Sequence, residues 1–233
     1  MHQLTVSITP VLAPPPKGSE LVVFADPRSY VAEIDSHQML AAAARYAIKH
    51  KVYLVPERFV AANSLCLCML SPDGSVLGVS RACHLNVILR QNNFSRYNAV
   101  EPFDTPFGRV ALVVDVDINM PQIIRSAVLQ GTSLIISSQH IPLYDFNQNR
   151  LDYGIVNAAA TNGVQIISSI GLGGAVVDAR GRFVKKYTDN LPLTAQIETE
   201  PGYIDIDSMI AANNLLLSHR DLILDETEGA KNE

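Results

Sequence analysis

Two aspartates at the end of an apolar run are the residues of this chain best placed to do chemistry. Val110-Ala111-Leu112-Val113-Val114 leads directly into Asp115-Val116-Asp117, and Asn119-Met120-Pro121-Gln122-Ile123-Ile124-Arg125 follows. The pattern predicts a buried strand, a sharp elbow and a helix. Pro121 suits the first helical turn, where its missing N–H costs nothing, and Ile123, Ile124 and Ala127 recur at helical spacing. An elbow of this kind holds one side chain, here Asp115, rigidly above a sheet. A second carboxylate, Asp26, ends another apolar stretch, Leu21-Val22-Val23-Phe24-Ala25. Two carboxylates brought together share a proton or bind a cation, so Asp26 and Asp115 could support carboxylate- or metal-assisted hydrolysis. Asp117 is read differently, as a hydrogen-bonded brace of the elbow, because acidic residues on structure are more often paired with backbone than catalytic.

The three cysteines, Cys66, Cys68 and Cys83, are an odd set in a chain without a secretion signal, which disfavours a disulfide framework. Cys66 and Cys68 are two apart on an expected strand and point to one face. With Cys83 and His84 they match no familiar metal-ligand spacing, so they read as buried small hydrophobes and no metal is expected. Cys83 is the other nucleophile to weigh. Strand alternation turns it to the face opposite Ala82, away from any pocket that Ala82 lines. The six histidines form no cluster with ligand spacing.

The elements that must position these residues are legible from periodicity. Strands are expected at 4–11, 20–24, 52–55, 65–70, 76–82, 110–114, 133–137, 164–168, 175–178, 183–187 and 203–206. Helices are expected at 36–50, capped by Asp35 or Ser36, from 121 onward, at 152–162, and from Asp207 or Ser208 through 217. Ser71-Pro72-Asp73-Gly74-Ser75 and Ala179-Arg180-Gly181 are hairpin turns, and 90–98 is a polar loop. Strand–helix alternation interrupted by hairpins implies mixed sheets packed together with helices outside. No linker divides the chain, so one domain is expected over 1–224, with a charged tail at 225–233.

Composition removes several classes of function. Of the 233 residues, 48% are hydrophobic and 18% charged, enough for a substantial core. No apolar run approaches the roughly 20 residues of a membrane span, and no basic region followed by an apolar stretch opens the chain. A cytoplasmic protein without membrane association is expected. A net charge of −5, with both signs scattered, offers no basic stripe for nucleic acid. Gly171-Leu172-Gly173-Gly174 precedes a strand instead of opening a helix, which fits close packing better than a phosphate cradle.

Several of these motifs, in this order, resemble the nitrilase superfamily of carbon–nitrogen hydrolases. The family's nucleophile motif is an apolar strand ending in Cys-Tyr-Asp, followed by Phe-Pro-Glu and an Arg, which 110–125 resembles with Asp115 at the Cys. Leu21 to Asp26 resembles the strand ending in Phe-Pro-Glu, and 70–85 the Pro-Asp-Gly hairpin running into Tyr-Arg-Lys-x-His-Leu. Gly171 to Gly181 is similar to the family's later hairpin, and Glu200-Pro201-Gly202-Tyr203 to its closing strand. The resemblance implies a four-layer α-β-β-α sandwich with two mixed sheets inside and helices outside, pairing as a homodimer. It also implies where the chemistry is missing. Family activity rests on a Glu base, a Lys that stabilises the tetrahedral intermediate and a Cys that attacks the amide or nitrile carbon; those positions fall on Asp26, Ala82 and Asp115. Gln122 and Thr161 replace further acidic landmarks, whereas Asp117, Pro121, Arg125 and Gly131 match the framework.

A carboxylate attacks amides poorly at neutral pH, and an alanine offers no charge to a developing oxyanion. The expectation is therefore a pseudoenzyme, without amidase or nitrilase activity, that binds or regulates. The former pocket would take a small ligand, with Asp26, Asp115, Val116, Ser138 and Gln139 around it, and no cofactor. The alternative is altered hydrolase chemistry through Asp26 and Asp115. Val-Val-Asp-Val-Asp is also similar to the Asp-x-Asp motif of haloacid-dehalogenase phosphatases, but that motif expects Thr or Val where Asn119 stands.

Overall fold

Strand β1 (Gln3–Pro10) turns Leu4, Val6 and Ile8 to one side, and a Pro-rich turn too short for a helix returns the chain into β2 (Leu21–Ala25), parallel to β1. The computed structural model describes residues 3–141 and 147–199, the side chains of 148–150 excepted. Helix α1 (Glu33–His50) crosses to β3 (Tyr53–Val55), again parallel to β2, and β4 (Phe59–Ala61), β5 (Ser64–Leu70) and β6 (Val76–Arg81) follow as antiparallel neighbours. With β13 (Leu193–Glu198) they form a seven-stranded sheet in the order β13-β1-β2-β3-β5-β4, β6 pairing with β5. The second sheet has six strands in the order β12-β11-β10-β9-β8-β7. These are β7 (Phe103–Thr105), β8 (Gly108–Val114), β9 (Leu134–Gln139), β10 (Gln165–Ile170), β11 (Gly173–Val177) and β12 (Phe183–Thr188). Both sheets mix parallel and antiparallel pairs.

Period-two alternation explains the layering. Leu21, Val23, Leu67 and Met69 of the first sheet meet Val110, Leu112, Val114, Leu134 and Ile136 of the second in one buried cluster. On the outer face, Val22, Phe24, Leu54, Cys66 and Cys68 pack under Ala43, Tyr46 and Ala47 of α1. Helices α3 (Pro121–Leu129) and α4 (Gln148–Asn162) pack on each other, and α4 covers β10, β11 and β12. The result is the α-β-β-α sandwich implied by the resemblance. Each Leu, Ile or Val taken fully out of water in these layers contributes about 1.5–3 kcal/mol.

Three local expectations change. Helix α1 begins at Glu33 with Ala32 as an N-cap that offers no side chain, not at Asp35 or Ser36. The bridge between Val31 and Phe59 fixes where the chain enters the helix, and Asp35 and Ser36 fall inside its first turn. The polar loop at 90–98 is preceded and entered by a short helix, α2 (Val87–Gln91), capped by Asn86. Strands β4, β7 and β13 were not expected. The closing strand at 203–206, the helix through 217 and the tail at 225–233 lie outside the described residues.

Candidate functional site

The elbow is real and strained. Asp115 is the first residue after β8, opening a 3-10 turn (Asp115–Asn119), and its φ of 52° lies in the left-handed region that residues with a Cβ rarely adopt. Pro121 opens α3 at its first turn, as its missing N–H favours. The Asp115 side chain is buried, and both of its oxygens hold a donor. Oδ1 accepts the backbone N–H of His140 at 3.0 Å and Oδ2 accepts Nδ2 of Asn86 at 3.0 Å. Asn86 is itself fixed, because its Oδ1 caps α2 by accepting the N–H of Leu89 at 2.9 Å.

Asp26, also buried, follows β2. Its carboxylate is clamped by Arg28, whose Nε lies 3.0 Å from each oxygen and whose backbone N–H adds a third bond at 3.0 Å. Nη2 of Arg28 continues to Glu57 Oε1 at 3.1 Å. Burial pushes the Glu57 carboxyl above its ordinary value, and the negative charge of Asp26 adds to the push.

Next to Glu57 in the chain, Arg58 has a relative exposure of only 1%. Nε donates to the carbonyl of Ser29 at 3.1 Å; Nη2 donates to that of Arg28 at 2.8 Å and reaches that of Asp26 at 3.5 Å. Nη1 has no partner. Burial opposes the charge of this guanidinium, and Asp115 followed by Asp26 supports it. The half-buried His140 ring completes the group. Burial and then Arg58 lower its pKa, so it is neutral near pH 7, and its Nδ1 is buried without a partner. The Arg28 guanidinium thus pairs with Asp26, whereas the donors on Asp115 are two neutral N–H groups. Among the described residues no group of three His, Cys, Asp or Glu is arranged to hold a metal ion.

Ala82 is wholly buried in the apolar cluster between the sheets, with its N–H on the carbonyl of Leu65 and its carbonyl on the N–H of Tyr97, both at 2.9 Å. Cys83 turns away from that cluster. Its thiol lies against the carbonyls of Arg81 and Ala99, and burial lifts its pKa to about 11, so it is not a thiolate at neutral pH. Asp117 braces the region, accepting the backbone N–H groups of Cys83 and His84 at 2.7 and 2.8 Å and facing His84 Nδ1 at 2.9 Å.

The remaining candidates divide by face. Ser138 shares the inner face with Ile136, and its Oγ accepts from Ser169 Oγ at 3.3 Å, while that serine hydroxyl also lies 3.1 Å from the carbonyl of Phe24. Gln139 points the other way and donates to Ser168 Oγ at 2.8 Å. Val116 is half-buried in the turn. Sequence reasoning missed Arg58, His140 and Asn86. Glu57 and Arg58, separated by Pro56 from the buried strand that ends at Val55, resemble the strand-then-charge pattern that drew attention to Asp26 and Asp115.

No family model matches the sequence, and no curated protein matches it. Solved structures do match. A carbon–nitrogen hydrolase from Helicobacter pylori G27 superposes with a TM-score of 0.71 at 18% identity, covering 100% of this chain and 99% of that one. An amidase from Nesterenkonia sp. gives 0.69 at 14% identity over 84% of this chain and 91% of its own. A double mutant of the amidase from Nesterenkonia sp. AN1, in complex with acrylamide, gives 0.73 at 14% identity over 94% and 97%. The chain has the nitrilase-superfamily fold. Within that fold, Asp115 follows β8, Asp26 follows β2 and Ala82 follows β6. Among the described residues no helix is long and apolar enough to cross a membrane.

Proposed function

We propose that this nitrilase-fold protein is a pseudoenzyme that has exchanged thiol hydrolysis for a binding or regulatory role at the former active-site pocket. One observation carries the reading: the side chain displayed on the elbow is a carboxylate with a hydrogen-bond donor on each oxygen. Asn86 and the His140 amide fix Asp115 in place. An anion so stabilised is a weak attacker of an amide carbon. The supporting residues agree. Asp26 is clamped by Arg28 and is not free to take a nucleophile's proton, and Ala82 brings no charge to an oxyanion.

In the E-to-L mutant of the Nesterenkonia amidase, the acetamide moiety of fluoroacetamide is added covalently to the active-site cysteine. The same reagent tests this chain. Intact-mass analysis after incubation with fluoroacetamide is expected to show no adduct, and acetamide, acrylamide and simple nitriles are expected to release no ammonia. Turnover of any of these that disappears in Asp115→Asn would overturn the proposal. The fold also leads us to propose a homodimer of the 25.4 kDa chain, which light scattering after size exclusion reads directly.

A further inference from the structure

Helix α1 carries a run of four alanines, Ala41 to Ala44. Side chains this short leave a gap between the helix and Val11 and Leu12, which follow β1, and a cavity of about 610 Å³ occupies it. That volume falls in the roughly 300–1,000 Å³ range of small-molecule sites. None of Asp26, Ala82, Asp115, Val116, Ser138 and Gln139 lines it, so the cavity is distinct from the elbow. One wall is apolar, formed by Val11, Leu12 and Met39. Leu12 is 50% exposed, and its φ of 59° lies in the left-handed region that residues with a Cβ rarely adopt. The turn after β1 thus holds an apolar side chain at the cavity in an unfavourable backbone conformation, a kind of strain that clusters at ligand sites.

The charged lining residues are Arg28, Asp35 and Glu57, two carboxylates against one guanidinium. That guanidinium is already engaged, with Nε on both oxygens of Asp26 and Nη2 on Glu57 Oε1 at 3.1 Å. An entering anion would meet two acids and a cation that is already paired. The N-terminus of α1 pulls the other way, with about half a positive charge, but Glu33 and Asp35 in its first turn offset it. Glu57 is only 5% exposed, and burial raises its carboxyl above the ordinary value; a cation beside it favours the ionised form. An ammonium would make charge-assisted hydrogen bonds there, about twice as strong as neutral ones. An uncharged apolar molecule would fill the wall and leave the acid unanswered. We propose that this cavity binds a primary alkylammonium or arylalkylammonium, its ammonium on the Glu57 carboxylate and its hydrocarbon against Val11, Leu12 and Met39. Whether the chain hydrolyses amides does not bear on this inference.

Calorimetric titration of the full chain with n-butylammonium, n-hexylammonium and phenethylammonium tests the proposal, beside methylammonium, butyrate and 1-butanol as controls. Methylammonium has the charge without the hydrocarbon, butyrate reverses the charge and butanol removes it. At least one of the three amines is expected to bind with a Kd of about 1 mM or tighter, and about tenfold or more ahead of every control. Glu57→Gln, which keeps the shape and removes the charge, is expected to weaken that binding about tenfold or more. Ala42→Phe, which fills the cavity from the helix, is expected to weaken it by at least as much. Any control binding as tightly as the best amine overturns the inference, as does no binding by any of the three. Amine binding unchanged in either variant, folded by circular dichroism, overturns it equally. The wild-type comparison decides the matter even if a variant fails to fold.

Discussion

Oδ2 of Asp117 accepts the backbone N–H of Cys83 at 2.7 Å, tying the end of β6 in one sheet to the turn that leaves β8 in the other. Oδ1 takes the next amide, that of His84. The Asp117 side chain is almost wholly buried, so removing it strands two donors away from water. Asp117→Ala is expected to cost about 2–4 kcal/mol, and Asp117→Asn, which retains one acceptor, roughly half of that. Urea unfolding should show a lower midpoint with an unchanged slope. Loss below about 0.5 kcal/mol in the alanine variant would mean the latch contributes nothing.

A lysine placed at position 82 is expected to destabilise the fold without giving amidase chemistry. Ala82 has no exposed surface and is surrounded by the inter-sheet apolar cluster. Enlarging it there costs about 1–3 kcal/mol in overpacking, and an unpaired buried ammonium adds several more. Ala82→Lys combined with Asp115→Cys is expected to give a lower melting temperature and no ammonia from acetamide. Amide turnover by that pair would overturn this expectation.

Much of the architecture could be read from the chain because its signals are local. The run from Val110 to Val114, Pro121 at the start of α3 and Gly74 at φ 83° in the Ser71–Ser75 turn each depend on neighbours in sequence. The start of α1 does not: the Val31 to Phe59 bridge sets it from 28 residues away by subtraction of those numbers. Strand β13 carries a visible alternation, with Leu193, Ala195 and Ile197 buried, and was not expected; the strand expected at 203–206 lies outside the described residues. For the candidate site, motif order singled out Asp26, Ala82 and Asp115. It did not single out Arg58 and His140, because their roles arise only when residues 26–29, 58, 115 and 140 converge, and no spacing rule encodes that meeting.

All three thiols should be unreactive in the native protein. Burial raises the Cys66 pKa, with Cys68 reaching about 12 and Cys83 about 11. The thiolate is the reactive form, and each side chain is also screened from reagent. A disulfide reagent such as dithionitrobenzoate at pH 7.5 is expected to show no fast-reacting group, and three in denaturant. One fast thiol assigned to Cys83 by peptide mapping would reopen the idea of a displaced nucleophile.

The half-buried imidazole of His140 should make stability fall in mild acid. Burial, reinforced by the Arg58 charge, holds its pKa below the ordinary 6.5, so the unfolded chain takes up a proton that the native state resists. The contribution is fully present above about 6.5 and is lost as the pH falls from there through the native value. His50, lowered by burial and Lys49, acts in the same direction. Glu57 and Asp117, both raised chiefly by burial, act in the opposite one: their native carboxyls keep protons longer, and that contribution disappears as pH rises through their native values. A single pH profile therefore mixes four groups, and a difference profile is needed. His140→Gln keeps the backbone N–H on Asp115 while removing the titration. Urea unfolding of both proteins at pH 7.5 and 5.5 is expected to show the variant losing less stability between the two values than the parent. Equal losses would mean that His140 titrates alike in the folded and unfolded chain, and that the Arg58 charge does not reach it.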